Sequence, residues 1–358
     1  MSASTSTSYI WSAAGWVRTD EAPSGPLLVA DSWRSSDGRV AAFEAHRQRF
    51  ERSVASVIAT EPGAAITSDT SLPDPVLGDR RATDSTTVVA ESSQPPTLTV
   101  GWEAFWGGVT TIIQRAHRSS GNPELFPRVS LRSQAHNAHI SGSDVPETSL
   151  VPTLSGEAAA PSSSQRHEAT GPSFQAPDSY SPSSRHPELV LDVRPAPAIR
   201  RATRLLYAPI PDPRHNPRIK GPDLARLSAA REQAVARGFD DLLICANDGS
   251  VLETCTGNLM WWDGDAAVFP ERQTQLLPGV TAEQVRLRLE EIGVPLRFAD
   301  VSVAELAGRA VWFLNSLHGI SPVSVLSDRG KDVPLAHHPH EDEWREWWNH
   351  RHLAAPTS

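Results

Sequence analysis

Of the 33 basic residues in this 358-residue chain, only two are lysines, Lys220 and Lys331. A lysine amine can hold an aldehyde as a Schiff base, and it is the side chain that anchors pyridoxal 5'-phosphate. If the chain uses that cofactor, Lys220 is its anchor, because Lys331 lies in a polar segment near the C-terminal end. Taken alone, a lysine ahead of an amphipathic run, as in Asn-Pro-Arg-Ile-Lys220-Gly-Pro-Asp-Leu-Ala-Arg-Leu, is an ordinary solvated group. Its company has to decide.

A phosphate needs donors and positive potential. Leu277-Pro-Gly279-Val280-Thr281 runs directly into a predicted helix over 281–292. The backbone amides of Val280 and Thr281 therefore face outward at the positive end of the helix dipole, with the Thr281 hydroxyl beside them. An ordinary helix start reads the same way when nothing else accompanies it.

Four segments in series supply the context: Glu-Ala-His46-Arg-Gln-Arg49-Phe, Val-Leu-Glu253-Thr-Cys-Thr-Gly-Asn258-Leu-Met-Trp-Trp, the Gly279 segment, and Trp-Phe-Leu-Asn315-Ser316-Leu-His-Gly-Ile-Ser-Pro-Val323. In order and spacing, together with Lys220, they resemble the class IV aminotransferases. This fold type IV pyridoxal phosphate group contains branched-chain and D-amino acid transaminases and aminodeoxychorismate lyases. The resemblance spans residues 26–55, 100–132 and 187–326, and is densest from Lys220 to Val323.

The resemblance implies a role for each matched residue. Lys220 is the Schiff-base lysine, and Glu253 meets the pyridine nitrogen, keeping it protonated so that the ring accepts electrons. Asn258 belongs to the small polar run with Thr254 and Thr256. Arg49 pairs with the cofactor phosphate beside Val280 and Thr281, as the planar guanidinium suits. Asn315 and Ser316 close over phosphate and substrate carboxylate. Arg34 in Asp-Ser-Trp-Arg and Arg128 in Phe-Pro-Arg-Val are candidate clamps for the substrate carboxylate by motif position. A homodimer is also implied.

Two departures bear on the reaction. A tyrosine that follows the lysine in branched-chain enzymes is replaced by Leu224 and Ala225, and Pro26-Leu-Leu-Val-Ala-Asp-Ser-Trp33 stands where a Gly-rich aromatic entry is usual. The Asn315 to Val323 segment follows the Asn-x-Leu-x-Gly-Ile-x-Pro-Val pattern of aminodeoxychorismate lyases. The expectation is a lyase converting 4-amino-4-deoxychorismate to 4-aminobenzoate and pyruvate, a step of folate biosynthesis. The alternative is a class IV amino acid transaminase acting on branched-chain or D-amino acids and a 2-oxo acid. A non-catalytic chain that binds partners through its low-complexity segments would have lost the lysine, the glutamate or the phosphate segment, and all are present.

The elements that must position these residues read as two α/β domains of a fold type IV enzyme, with the cofactor between them. A small N-terminal domain spans 1–202, a larger lysine-bearing domain 203–330, and a Trp- and His-rich tail 331–358. Ser-, Pro- and Ala-rich stretches at about 59–98 and 133–186 lack the apolar residues to offset ordering entropy and read as disordered insertions. The second separates Arg128-Val-Ser-Leu-Arg from Pro-Glu-Leu-Val-Leu-Asp-Val-Arg194, two runs that would pair if joined by a short turn. A core helix is expected over 102–117, with Phe105, Trp106, Val109, Ile112 and Ile113 at helical spacing. Further expectations are a strand from Leu205, an amphipathic helix over 223–237 ended by Gly238, and a hairpin from Asp241 through Asn247-Asp-Gly249 to Glu253. Strands are expected at Val268, at 301–306 and at Val311. The tail reads as a docking helix or a frayed end.

A net charge of -9 leaves no electrostatic footprint for nucleic acid or an anionic membrane. The N-terminus lacks the regions of a signal peptide, and no apolar stretch is long enough to span a bilayer. A cytoplasmic enzyme with a small-molecule amino substrate is expected. Cys245 and Cys255 form no disulfide framework, and no spacing reads as a metal site.

Overall fold

The computed structural model describes residues 6–21, 23–60, 65–67, 97–133 and 187–351. Near the N-terminus, β1 (Thr7–Ser12), β2 (Gly15–Thr19), β3 (Leu27–Ser32), β4 (Arg128–Ser133) and β5 (Pro187–Val193) form an antiparallel sheet in the order β2-β1-β5-β4-β3. Helices α1 (Phe43–Thr60) and α2 (Trp102–Ser120) accompany it. The apolar stripe read from the sequence is the buried face of α2, where Phe105, Trp106, Val109, Ile112 and Ile113 join Trp16, Phe50 and Leu131 in one cluster.

The two runs expected to be neighbours are neighbours: β4 and β5 pair with Ser133 opposite Pro187 and Arg128 opposite Asp192. Residues 134–186, and with them most of the second expected insertion, lie outside the described residues. So do 61–64 and 68–96 of the first. Within that first stretch α1 continues through Thr60, and Ala65–Thr67 pairs in parallel with Thr97–Thr99.

The second sheet holds nine strands of the described residues: β6 (Thr203–Tyr207), β7 (Asp241–Cys245), β8 (Val251–Thr254), β9 (Asn258–Asp263), β10 (Ala266–Pro270), β11 (Leu296–Ala299), β12 (Val311–Asn315), β13 (Gly319–Asp328) and β14 (Lys331–Val333). Its order is β8-β7-β6-β13-β12-β9-β10-β11, with β14 beside β13. A further pairing, Glu253 opposite Asn258, joins β8 to β9 and closes six of these strands into a barrel. Strands β9 and β12 are apolar on both faces, so the sequence shows continuous runs there rather than alternation. Leu259, Trp261, Val311 and Phe313 belong to one cluster, while Met260, Trp262, Trp312 and Leu314 belong to another.

Helix α3 (Leu224–Val235) makes the crossover between the parallel strands β6 and β7, and α4 (Val280–Glu291) buries Val285 and Leu289. The tail forms α5 (Glu341–His350), docked through buried Trp344 and Trp348. One expected strand is not formed. Over 301–306, Ser302 makes only a single bridge with Ser250, and Ala304–Leu306 is a short 3-10 helix. The reason is local: the Glu305 carboxylate accepts from both the Ser302 amide and its hydroxyl, at 2.7 Å each, turning the chain instead of extending it. Cys245 and Cys255 are buried free thiols. No helix among the described residues is long and apolar enough to cross a membrane.

Candidate active site

Lys220 ends an irregular segment between β6 and α3, and backbone contacts fix it against β3. The Ala30 amide donates to the Lys220 carbonyl at 2.6 Å. Gly221 follows at φ 150°, and a β-carbon there would stand 2.7 Å from Val29 Cα and 2.8 Å from the Leu28 carbonyl oxygen. Only glycine lets the chain approach so closely. Among the described residues nothing pairs with the Lys220 ammonium, which faces a cavity of about 770 Å³. Burial and the nearby Arg49 guanidinium lower its pKa to about 8, Asp31 offsetting part of the effect. The amine is therefore available as a nucleophile and as a proton acceptor near neutral pH.

Glu253 lies at the seam where the barrel closes. It is 4 % exposed and takes three donors: Asn258 Nδ2 at 2.7 Å, the Leu277 amide at 3.0 Å, and the Arg214 guanidinium in an ion pair. Burial raises its pKa to about 7, against the pull of Arg214 and the Leu277 amide. Asn258 also donates to the Leu277 carbonyl at 3.0 Å, so it bridges the carboxylate and the segment leading to α4.

At α4, Gly279 is the N-cap in an extended conformation and no side chain caps the helix. The first amide bonded within the helix is that of Glu283, to the Gly279 carbonyl at 3.0 Å. The amides before it are thus left for a ligand. Thr281 Oγ1 and Ser316 Oγ lie 3.4 Å apart beside this end. Arg49, from α1, reaches the same segment and donates to the Pro278 carbonyl at 3.1 Å.

Asp31 sets the Arg49 fork. Its two carboxylate oxygens each accept from the guanidinium at 2.8 Å, and His46 Nδ1 donates to it at 2.8 Å. Burial alone would raise the Asp31 pKa, but Arg49 and His46 hold it well below the usual carboxylate range. Burial lowers His46, with Asp31 opposing. Asp31 carries no motif signature beyond its place at the end of β3, and its importance appears only once α1 packs against that strand.

The remaining wall is cationic. Arg128 donates to Asp192 at 3.2 Å, and Arg194, stacked on Phe126, donates to the Phe126 carbonyl at 3.2 Å. Both reach the cavity, as do Asn315, Arg200 and His318. Asn315 Oδ1 accepts from the Leu317 and His318 amides at 3.2 and 2.8 Å, shaping its own turn.

The structure gathers Lys220, Arg49, Glu253, Asn258, Val280, Thr281, Ser316, Arg128 and Asn315 around one cavity. Arg34 is not among its lining residues. It is 3 % exposed, and its guanidinium is used by the Leu317 carbonyl at 2.7 Å, Glu124 at 2.6 Å and the Pro197 carbonyl. Arg34 braces the Ser316 turn from behind, and its side chain does not reach the cavity. Arg194 and Arg214 were hidden in an arginine-rich chain, where only the packing picks out those that face the site.

The residues fit pyridoxal 5'-phosphate: an amine with no partner among the described residues, a buried carboxylate and an uncapped helix end with an arginine share one cavity. Residues 165–326 match the family model for amino-transferase class IV. No curated protein matches the chain in sequence. Among solved structures, a fold IV-transaminase from Curtobacterium pusillum is 18% identical with a TM-score of 0.62, covering 97% of this chain and 98% of that one. A branched-chain aminotransferase from the archaeon Thermoproteus uzoniensis is 15% identical at TM-score 0.61, over 98% and 96%. A putative 4-amino-4-deoxychorismate lyase from Legionella pneumophila is 14% identical at TM-score 0.57, over 93% and 97%. The fold is that of the fold type IV enzymes.

Proposed function

We propose, for a chain whose residues 165–326 match the class IV amino-transferase family model, a pyridoxal phosphate-dependent lyase that converts 4-amino-4-deoxychorismate to 4-aminobenzoate and pyruvate. The observation that carries the cofactor is the convergence of Lys220, Glu253 and the uncapped α4 N-terminus on one cavity. The lyase reading rests on Asn315-Ser-Leu-His-Gly-Ile-Ser-Pro-Val323 and on Leu224 and Ala225 at the place of the transaminase tyrosine.

Val280, Thr281, Ser316 and Arg49 would hold the phosphate, Glu253 the ring nitrogen, and Lys220 the aldehyde carbon. Bound there, the cofactor supplies a carbonyl for the substrate amine and a ring that takes up electrons as a neighbouring C–H bond breaks. The chain's own work is positional and protolytic. Arg128 and Arg194 offer guanidinium donors to a substrate carboxylate. The Lys220 amine accepts the proton from the substrate ring carbon, and loss of pyruvate leaves the aromatic product. In the same reading the boundary near residue 203 divides two domains, the enzyme is a cytoplasmic homodimer, and its partner is a small amino substrate.

A class IV transaminase would use the same shell, with Lys220 moving a proton to and from the amino-bearing carbon. The test supplies purified holoenzyme with 4-amino-4-deoxychorismate and, separately, with branched-chain or D-amino acids plus 2-oxoglutarate. The lyase reading expects 4-aminobenzoate and pyruvate in equal amounts from the first. Glutamate from the second, with no 4-aminobenzoate from the first, would replace it by the transaminase.

A further inference from the structure

Arg214 stands six residues before Lys220 in the same irregular segment, and neither composition nor motif draws attention to it. In the structure its side chain is 3 % exposed and every arm of the fork is engaged. Nη1 pairs with Glu253 Oε1, while Nη2 donates to the Gln275 carbonyl at 3.0 Å. Nε and Nη2 grip the two oxygens of Asp212 at 2.8 and 2.7 Å. One guanidinium thus joins the segment that ends in Lys220, the strand that carries Glu253, and the segment that leads into the α4 N-terminus. Those three pieces bear the amine, the carboxylate and the phosphate donors.

We propose that Arg214, oriented by Asp212, is a positioning residue: it sets the three pieces relative to one another and holds Glu253 as a carboxylate facing the cavity. The inference rests on the reading of Glu253 as the contact to the cofactor's ring nitrogen. The need is physical. A glutamate this deeply buried favours its neutral form, and a protonated carboxyl cannot keep a ring nitrogen protonated. The donors and charges that face Glu253 are Arg214, Asp212, Asn258 and the Leu277 amide. Arg214 is the cation of that set, and the Asp212 anion works against ionisation.

Two measurements test it. Infrared difference spectra of apoprotein carrying carboxyl-labelled glutamate, with the Glu253 band assigned by E253Q, follow its titration without cofactor. In R214Q the midpoint should rise by about one pH unit or more, the effect of removing an opposite charge in contact. In D212N, which keeps the cation and loses a neighbouring anion, it should not rise. Equilibrium dialysis of R214Q with pyridoxal 5'-phosphate should show at least a ten-fold loss of affinity, partly restored in R214K. A folded R214Q with an unchanged Glu253 midpoint would overturn the proposal. If R214Q does not fold, R214K decides, since a lysine keeps the charge but loses the fork, and a folded R214K with unchanged cofactor affinity would overturn the positioning role. Failure of the unaltered chain to bind the cofactor would instead count against the site reading, which the apoprotein titration does not use.

Discussion

The Oδ1 of Asn258 lies 1.7 Å from the point where a β-carbon on Gly279 would stand. Asn258 can bridge the Glu253 carboxylate and the Leu277 carbonyl only because position 279 has no side chain. The residue before the helix end and the residue that steadies the carboxylate are one steric unit.

Gly279→Ala should therefore act on both ends of the cofactor at once. The added methyl displaces Asn258 from two buried hydrogen bonds, each costing roughly 1–3 kcal/mol when a partner is left unsatisfied. Pyridoxal phosphate affinity should fall by about ten-fold or more, as equilibrium dialysis would measure. Unchanged affinity would detach Asn258 from the site.

Asp31→Asn removes the anion that anchors the Arg49 fork and His46. Breaking such a buried pair costs roughly 3–5 kcal/mol, so urea unfolding at neutral pH should show a loss of that order. Because the folded pKa of Asp31 lies below the unfolded one, its contribution is full above about pH 3.9 and fades as the pH falls further. The gap between variant and parent should narrow over that acid range.

Lys220→Met should stabilise the apoprotein. The folded lysine titrates at about 8 and the free side chain at 10.5, so between those values the unfolded chain binds more protons and parent stability rises with pH. Below that window the partly buried ammonium is a cost of at most about 3 kcal/mol, at about 1.4 kcal/mol per unit. Urea unfolding of apoprotein should find the methionine variant more stable at pH 7 and the difference shrinking toward pH 10.5. A less stable variant would mean that the amine is well solvated.

Much of this site was legible in the sequence because its parts are local. Glu253, Asn258, Gly279, Thr281 and Ser316 sit in short segments that the fold brings to one cavity. The helices α2 and α4 and the hairpin through Gly249 were legible for the same reason. What escaped depends on pairing at a distance. The barrel closure at Glu253 and Asn258, the ten-residue strand Gly319–Asp328 with Pro322 inside it, and the roles of Asp31, Arg194 and Arg214 have no periodic signature. Arg34 misled because motif position places its backbone correctly while Glu124 and two carbonyls draw its side chain away from the cavity. The expected strand at 301–306 failed for a nearer cause, the Ser302 and Glu305 turn.

Ser133 and Pro187 are paired neighbours across β4 and β5, so the chain between them can be replaced by a tight turn. Deleting 134–186 with an Asn-Gly link should keep folding, cofactor binding and turnover within a few-fold. Thermal unfolding and equilibrium dialysis are the checks. A deletion chain that loses the cofactor would assign that segment a part in the site.

The central claim is that Lys220 is the covalent anchor of pyridoxal 5'-phosphate, and a chain with two lysines makes it testable in one step. Borohydride reduction of the loaded protein, followed by peptide mapping, should place the pyridoxyl label on Lys220 alone. Label on Lys331, or equal labelling in a Lys220→Ala chain, would contradict the account.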